Sequence, residues 1–293
     1  MKKDFLIITN KKSYAANNVF NQFKNDFNAE LLYISQIRNF NPQGKSYKNI
    51  ILCSGGYNPL CFDLLENNFK DSNLIQHDTT DSEDVQKFLP TRAPDLIFQR
   101  ELTNNTKNIF ENVSIEPIHF AIDSIYDEQY QMKDIDVSMM MTMTNQRRAP
   151  FVQHALELSK NKLSHLNWHI RVTRQSVHTP DEYRQVCNRS KIGLHYFGNS
   201  YDSIRIWELA STKTAIIMPE LRLKSTMDSH MPFKNYEKIN DDFANLEEKI
   251  IYLIEQYRWR TLAQKSYNDY NLNHNPIKCY QKYCEVLKKH KII

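Results

Sequence analysis

Short apolar runs alternate with longer amphipathic segments along the chain, and that alternation restricts it to the α/β class. Phe5–Ile8, Leu31–Ile34, Ile50–Cys53, Leu74–Ile75 and Leu96–Phe98 are too short for helices and apolar enough for burial on both sides. Helix-period segments at Tyr14–Phe27 and Pro59–Phe69 separate several of them. Strands joined through a helix enter the sheet from the same end, so they pair in parallel. The pattern then recurs. Ile135–Met143, Trp168–Val172, Ile192–Tyr196 and Ala215–Met218 read as strands, and Arg148–Leu163, Pro180–Cys187 and Ile204–Ser211 as helices. From Asp241 onward the pattern is helical, ending in a lysine-rich helix through Cys279–Lys289. These spans predict two Rossmann-like α/β halves, residues 1–125 and 126–273, with a seam between Ile118 and Asp134 and a helical tail over 274–293. Open parallel sheets bind ligands beyond the carboxyl ends of their strands, so two such sheets facing one another predict a cleft.

Glycine usage narrows the ligand class. The chain has 5 glycines in 293 residues, where a usual share is about 7%. Neither G-x-G-x-x-G nor a Walker loop is present, and the nearest imitation, Gly44-Lys45-Ser46, has Asn39 where the first loop glycine belongs. Classical NAD enzymes and P-loop NTPases are thereby excluded. A net charge of +4 and a pI near 8.6 permit a polyanionic partner without demanding one. Five scattered cysteines without a C-x-x-C pair argue against a disulfide framework or a zinc site and for a reducing compartment. No signal peptide or membrane-length apolar run is present, so the expected location is the cytoplasm.

The residues at the strand ends carry the chemistry. In Tyr201-Asp202-Ser203-Ile204-Arg205-Ile206-Trp207-Glu208, either Asp202 or Ser203 can cap a helix that presents Arg205 and Glu208 on one face. A helix start with a nearby arginine suits a phosphate, and a carboxylate one turn on can accept two hydrogen bonds from a ribose diol. A surface ion pair has the same spacing. Upstream, Thr144-Asn145-Gln146-Arg147-Arg148 lies between a strand and a helix, with Arg147 or Arg148 available to a phosphate. His195 ends the strand before Phe197-Gly198-Asn199 and borders the same region.

The segment Ser203–Ala210, a Ser-x-Arg-x-Trp-Glu-x-Ala pattern between two strands, resembles the donor-binding element of the GT-B glycosyltransferases. Its second half is group 1-like, and the Arg-x-Trp-Glu portion distantly resembles the phage DNA β-glucosyltransferases. The resemblance implies that Glu208 binds the nucleotide ribose, that Arg205 with Arg147 or Arg148 binds the pyrophosphate, and that Ser203 and His195 border the donor. It implies a metal-independent reaction with no cofactor, a UDP-linked sugar serving as co-substrate. It also implies that the last helix crosses back onto the first domain. The loop Thr144–Arg148 lacks the glycine usual in the family, which moves the phosphate contacts onto arginine side chains.

In the first half, Gly55-Gly56 follows a strand and opens a helix, either as a plain turn or as an acceptor-side loop. His77-Asp78 ends another strand, expected to face the same cleft, with Asp78 as candidate general base and His77 as the other candidate. Asp78 equally suits a turn cap. Arg100-Glu101 is read as structural. Three functions follow: transfer of a sugar to a glycan, lipid or protein hydroxyl; the same chemistry on a hydroxymethylated base in DNA; or a non-catalytic two-lobed protein that closes on a small ligand. DNA would call on Lys2, Lys3, Lys11, Lys12, Lys45 and Lys48, which a lysine-rich composition explains equally well. Oligomeric state is not encoded in any of these features.

Overall fold

The computed structural model describes residues 2–10, 14–54, 58–79, 84–100, 102–118, 132–143, 146–174, 179–198, 203–223 and 233–293. The chain divides into two compact units, Met1–Asp123 with Leu223–His230 and Asn275–Ile293, and Ser124–Arg222 with Met231–His274.

In the first unit β1 (Lys2–Thr9), β2 (Ala29–Tyr33), β3 (Ser46–Ser54), β4 (Asn73–Asp78), β5 (Leu96–Gln99) and β6 (Ser114–Pro117) form a parallel sheet in the order β2-β1-β3-β4-β5-β6. Helix α1 (Tyr14–Asp26) covers one face, over Phe5, Ile7, Ile51, Ile75 and Phe98; α2 (Pro59–Asn68) covers the other, over Leu6, Ile8, Leu52 and Leu74. This division follows from the two-residue period of a strand.

The second unit comprises β7 (Ile135–Thr142), α3 (Arg148–Lys160), β8 (Trp168–Thr173), α4 (Pro180–Arg189), β9 (Ser190–Leu194), α5 (Ile204–Ser211), β10 (Ala215–Met218), β11 (Glu237–Lys238), α6 (Leu246–Glu255) and α7 (Arg258–Asp269). Its sheet runs β11-β10-β9-β7-β8, again parallel. Both sheets therefore reverse direction beside their first strand, a shared topology with no matching sequence repeat. One face of the second sheet buries Val137, Met139, Met141, Ile192, Leu194 and Ile217 under α3, α6 and α7. Helix α8 (Pro276–Lys289) belongs to the first unit, where Cys279, Tyr283, Val286 and Leu287 join the core beneath α1. At its C-terminal end, Lys289 Nζ and His290 Nε2 lie 2.6 and 2.9 Å from Glu116 Oε1 on β6.

Three helices open on a side-chain cap followed by proline. Asn58 accepts from the Leu60 and Cys61 amides, Thr179 forms a reciprocal box with Glu182, and Asn275 accepts from the Lys278 amide. In each, the cap satisfies donors that have no partner in the first turn, and proline at the first helical position gives up none. Lys133 serves opposite ends, donating to the Asn188 and Thr212 carbonyls near the C-termini of α4 and α5.

Gly193 on β9 has a steric reason. A Cβ there would come within 2.6 Å of Leu209 Cδ2 and 2.9 Å of Cδ1, and Leu209 is buried on α5. Gly193→Ala is expected to cost about 1–3 kcal/mol by overpacking and to push α5 away from the sheet. Thermal denaturation of the variant, followed by tryptophan fluorescence, checks this; an unchanged transition would show that Leu209 re-packs without strain.

Candidate functional site

In the second unit the sheet order reverses between β7, which continues to β8, and β9, which continues to β10. A crevice at the carboxyl ends of two such strands is where open α/β sheets hold ligands. The side chains gathered there are Arg148, Tyr183, His195, Arg205 and Glu208.

Helix α5 supplies two of them. Its apolar residues Ile206, Trp207, Leu209 and Ala210 are buried, which leaves Arg205 and Glu208 on a common stripe three residues apart. Glu208 is buried at 6% exposure. The Arg205 guanidinium lies over the Tyr183 ring, 5.6 Å from its centroid, and its Nε is buried with no hydrogen-bond partner among the described residues. Ser203 occupies the N-cap of α5 in extended conformation, but its side chain makes no capping bond. Asp202, the other expected cap, lies outside the described residues.

Charge is concentrated around α4 as well. Burial lifts the Tyr183 hydroxyl well above its ordinary range, with the Cys187 thiol and Glu208 carboxylate adding to the rise and Arg205 opposing it. Cys187 is pushed up first by burial and then by Glu208. Both shifts place Glu208 and Arg205 against the Tyr183–Cys187 face, one turn of α4. Sequence reasoning did not single out Tyr183; nothing distinguishes a tyrosine inside an amphipathic helix until its neighbours are known.

His195 is wholly buried just past β9, its amide bonded to the Ile217 carbonyl at 2.9 Å and its ring edge-on to Phe197. Neither ring nitrogen has a partner among the described residues. Burial, then Arg205, then Arg148 hold its pKa well below 6.5, so the imidazole is neutral. Arg147 is exposed at the N-cap of α3, while Arg148 is buried and donates to the carbonyls of Thr142, Tyr196 and Phe197. Burial, then the neighbouring Arg205 charge, push the Arg148 guanidinium down to about 10. The adjacent arginines thus have separate environments: one solvated, one built into the main chain. Thr144 and Asn145 lie outside the described residues.

The first unit separates the expected His–Asp pair. His77 points into the layer of Phe20, Phe98 and Tyr283, with ring centroids 5.1–6.1 Å away. Asp78 points to the opposite face, wholly buried, its Oδ2 3.4 Å from the Gln86 amide. Successive strand residues face opposite sides of a sheet, so the two do not share one surface as expected. Burial lowers the His77 pKa to about 3, which removes it as a base near neutrality. Arg100 is buried, its amide bonded to the Asp78 carbonyl, consistent with a structural place. Gly55, Gly56 and Glu101 lie outside the described residues. No group of three or more His, Cys, Asp or Glu side chains is arranged to hold a metal among the described residues, and no helix there is long and apolar enough to cross a membrane.

No protein-family model matches the chain, and no curated protein matches it by sequence. Solved structures do. HepE from Anabaena, determined with UDP, superposes with a TM-score of 0.57 at 9% identity, over 98% of this chain and 100% of that one. S. aureus TarM, determined with Fondaparinux, α-GlcNAc-glycerol and UDP, gives 0.53 at 13% identity over 86% of this chain. The pneumococcal O-GlcNAc transferase GtfA, with UDP and GlcNAc, gives 0.51 at 11% identity over 87%. The fold is GT-B. The chain spans the whole of HepE but only 57% and 59% of the TarM and GtfA structures. At these identities the likeness is one of fold.

Proposed function

We propose that the protein is a glycosyltransferase that binds a UDP-linked sugar on its second unit and transfers the sugar to an acceptor hydroxyl. The observation that carries this reading is the pairing of a buried Glu208 with Arg205 on one stripe of α5, beside an imidazole whose two nitrogens have no partner among the described residues. A carboxylate and a guanidinium one helical turn apart suit a molecule with a diol at one end and a diphosphate at the other. The GT-B fold supports the reading, as does UDP in HepE, TarM and GtfA.

In this reading Glu208 orients the ribose. Arg205 and the solvated Arg147 stabilise the charge that grows on the departing diphosphate, so that fixed guanidiniums do the work for which other enzymes use a metal ion. His195, neutral and buried, offers an N–H to a phosphate oxygen or a sugar hydroxyl.

A thermal-shift series with UDP, GDP, CDP and CMP tests the donor site. All three tryptophans (Trp168, Trp207 and Trp259) lie in the second unit and report its unfolding. UDP at 100 times its Kd adds about 2.7 kcal/mol, a rise of roughly 5–10 °C for a unit of this size. Arg205→Ala is expected to abolish the shift. No response to any nucleotide would refute the reading.

A further inference from the structure

We propose that Arg148 is a positioning residue that fixes the two lips of the β7–β9 crevice, leaving the phosphates to its neighbour Arg147; this rests on the donor site proposed above. The β7–β9 ladder runs from Ile135↔Ser190 to Ser138↔Gly193 and goes no further, although β7 itself continues to Thr142 in register with β8. If the register continued, Thr142 would stand opposite Phe197. The guanidinium of Arg148 occupies the place of that missing ladder. Its Nη1 donates to the Thr142 carbonyl at one lip, and its Nη2 and Nε donate to the Tyr196 and Phe197 carbonyls at the other, each at 3.2 Å.

Main-chain carbonyls released from a ladder inside a protein must find donors, and each one left without costs about 1–3 kcal/mol. A planar guanidinium with five N–H groups in a fixed fork can serve three carbonyls on two strands at once. An ammonium, with its three donors on a single nitrogen, cannot span them in the same way. Arg148 is 4% exposed and its side chain is committed to this bridge from the first turn of α3. It therefore sets how far apart the strand ends stand, and with them His195, which lies on the segment leading to the bridged carbonyls.

The test compares UDP with uridine, which lacks phosphates, by calorimetry on the full chain. Arg148→Lys keeps the charge and loses the fork; it is expected to weaken UDP and uridine by a common factor of about ten, at unchanged stoichiometry. Unchanged stoichiometry separates a displaced site from a partly unfolded protein, which would lower the number of sites. Arg147→Met is expected to weaken UDP and leave uridine unchanged. Loss of UDP affinity alone in Arg148→Lys would make Arg148 a phosphate ligand and overturn the proposal. So would wild-type affinity for both ligands in that variant. If Arg148→Met and Arg148→Lys both fail to fold, hydrogen exchange of the wild type decides. Saturating uridine is expected to protect the amides of 195–198 and 142–143 together, and protection of one lip alone overturns the proposal. A wild type that binds neither UDP nor uridine would remove the donor site and this role together, a result distinct from binding that ignores Arg148.

Discussion

Glu208→Ala is expected to weaken UDP binding by about 100- to 10,000-fold. Two hydrogen bonds from a ribose diol to a buried carboxylate contribute about 1.5–3 kcal/mol each, and the alanine removes both. The loss falls on binding and not on folding. Trp207, the neighbouring anchor of α5, is 1% exposed, and the Glu208 carbonyl still accepts from the Ser211 and Thr212 hydroxyls. Removal of the carboxylate also lifts part of the charge that raises Tyr183 and Cys187. A comparison with 2′-deoxy-UDP assigns the effect. The wild type is expected to prefer UDP over the deoxy compound, and Glu208→Ala to bind the two alike, as a double-mutant cycle on one contact requires. If the alanine variant keeps the full preference for the ribose, the carboxylate points elsewhere and the ribose assignment is wrong.

The part of this site that could be read from sequence is the part that periodicity encodes. Ile204–Ser211 and Ala215–Met218 match α5 and β10 residue for residue, because a buried stripe on a helix and a wholly apolar strand each have an unambiguous pattern. β6 and β11 were missed. β6 reads Ser-Ile-Glu-Pro, and its Glu116 is held by Lys289 and His290 at the C-terminal end of α8. β11 is two residues, Glu237–Lys238. Short polar edge strands are what a sheet uses to end itself, and they carry no apolar run to find.

Side-chain roles were less legible, for two physical reasons. His77 and Asp78 are neighbours in sequence, yet the strand sends them to opposite faces, a consequence that the two-residue period itself contained. Arg147 and Arg148 are chemically identical, and only the end of the β7–β9 ladder distinguishes them, which depends on where two strands separated by about fifty residues stop pairing. The caps were readable in part. Asn-Pro at 58–59, Thr-Pro at 179–180 and Asn-Pro at 275–276 each mark a helix start, and two of those helices were placed from their apolar pattern without them.

Acid is expected to unfold the first unit before the charge pairs on its surface are lost, and His77 is the reason. The folded chain holds this imidazole neutral down to a pKa of about 3, whereas an unfolded chain protonates histidine near 6.5. Above pH 6.5 neither state carries the proton and His77 contributes no slope. As the pH falls from 6.5 toward 3 the unfolded state binds the proton and the folded state does not, so stability drops by about 1.4 kcal/mol per pH unit. At pH 5 the loss is about 2 kcal/mol, and at pH 3 about 4 kcal/mol, close to the whole stability of a marginal domain. The cause is burial against Phe20, Phe98 and Tyr283; among the described residues neither Nδ1 nor the Tyr283 hydroxyl has a hydrogen-bond partner. His77→Leu, similar in volume and unable to titrate, is expected to abolish the slope and to lose about 2 kcal/mol less than the wild type between pH 8 and pH 5. Tryptophan fluorescence does not see this event, since every tryptophan lies in the second unit, where His195 adds an acid sensitivity of its own. Hydrogen exchange of peptides covering β1 and β4 isolates it. Equal losses of protection in wild type and His77→Leu would mean that the imidazole is already protonated, or solvated, in the folded protein.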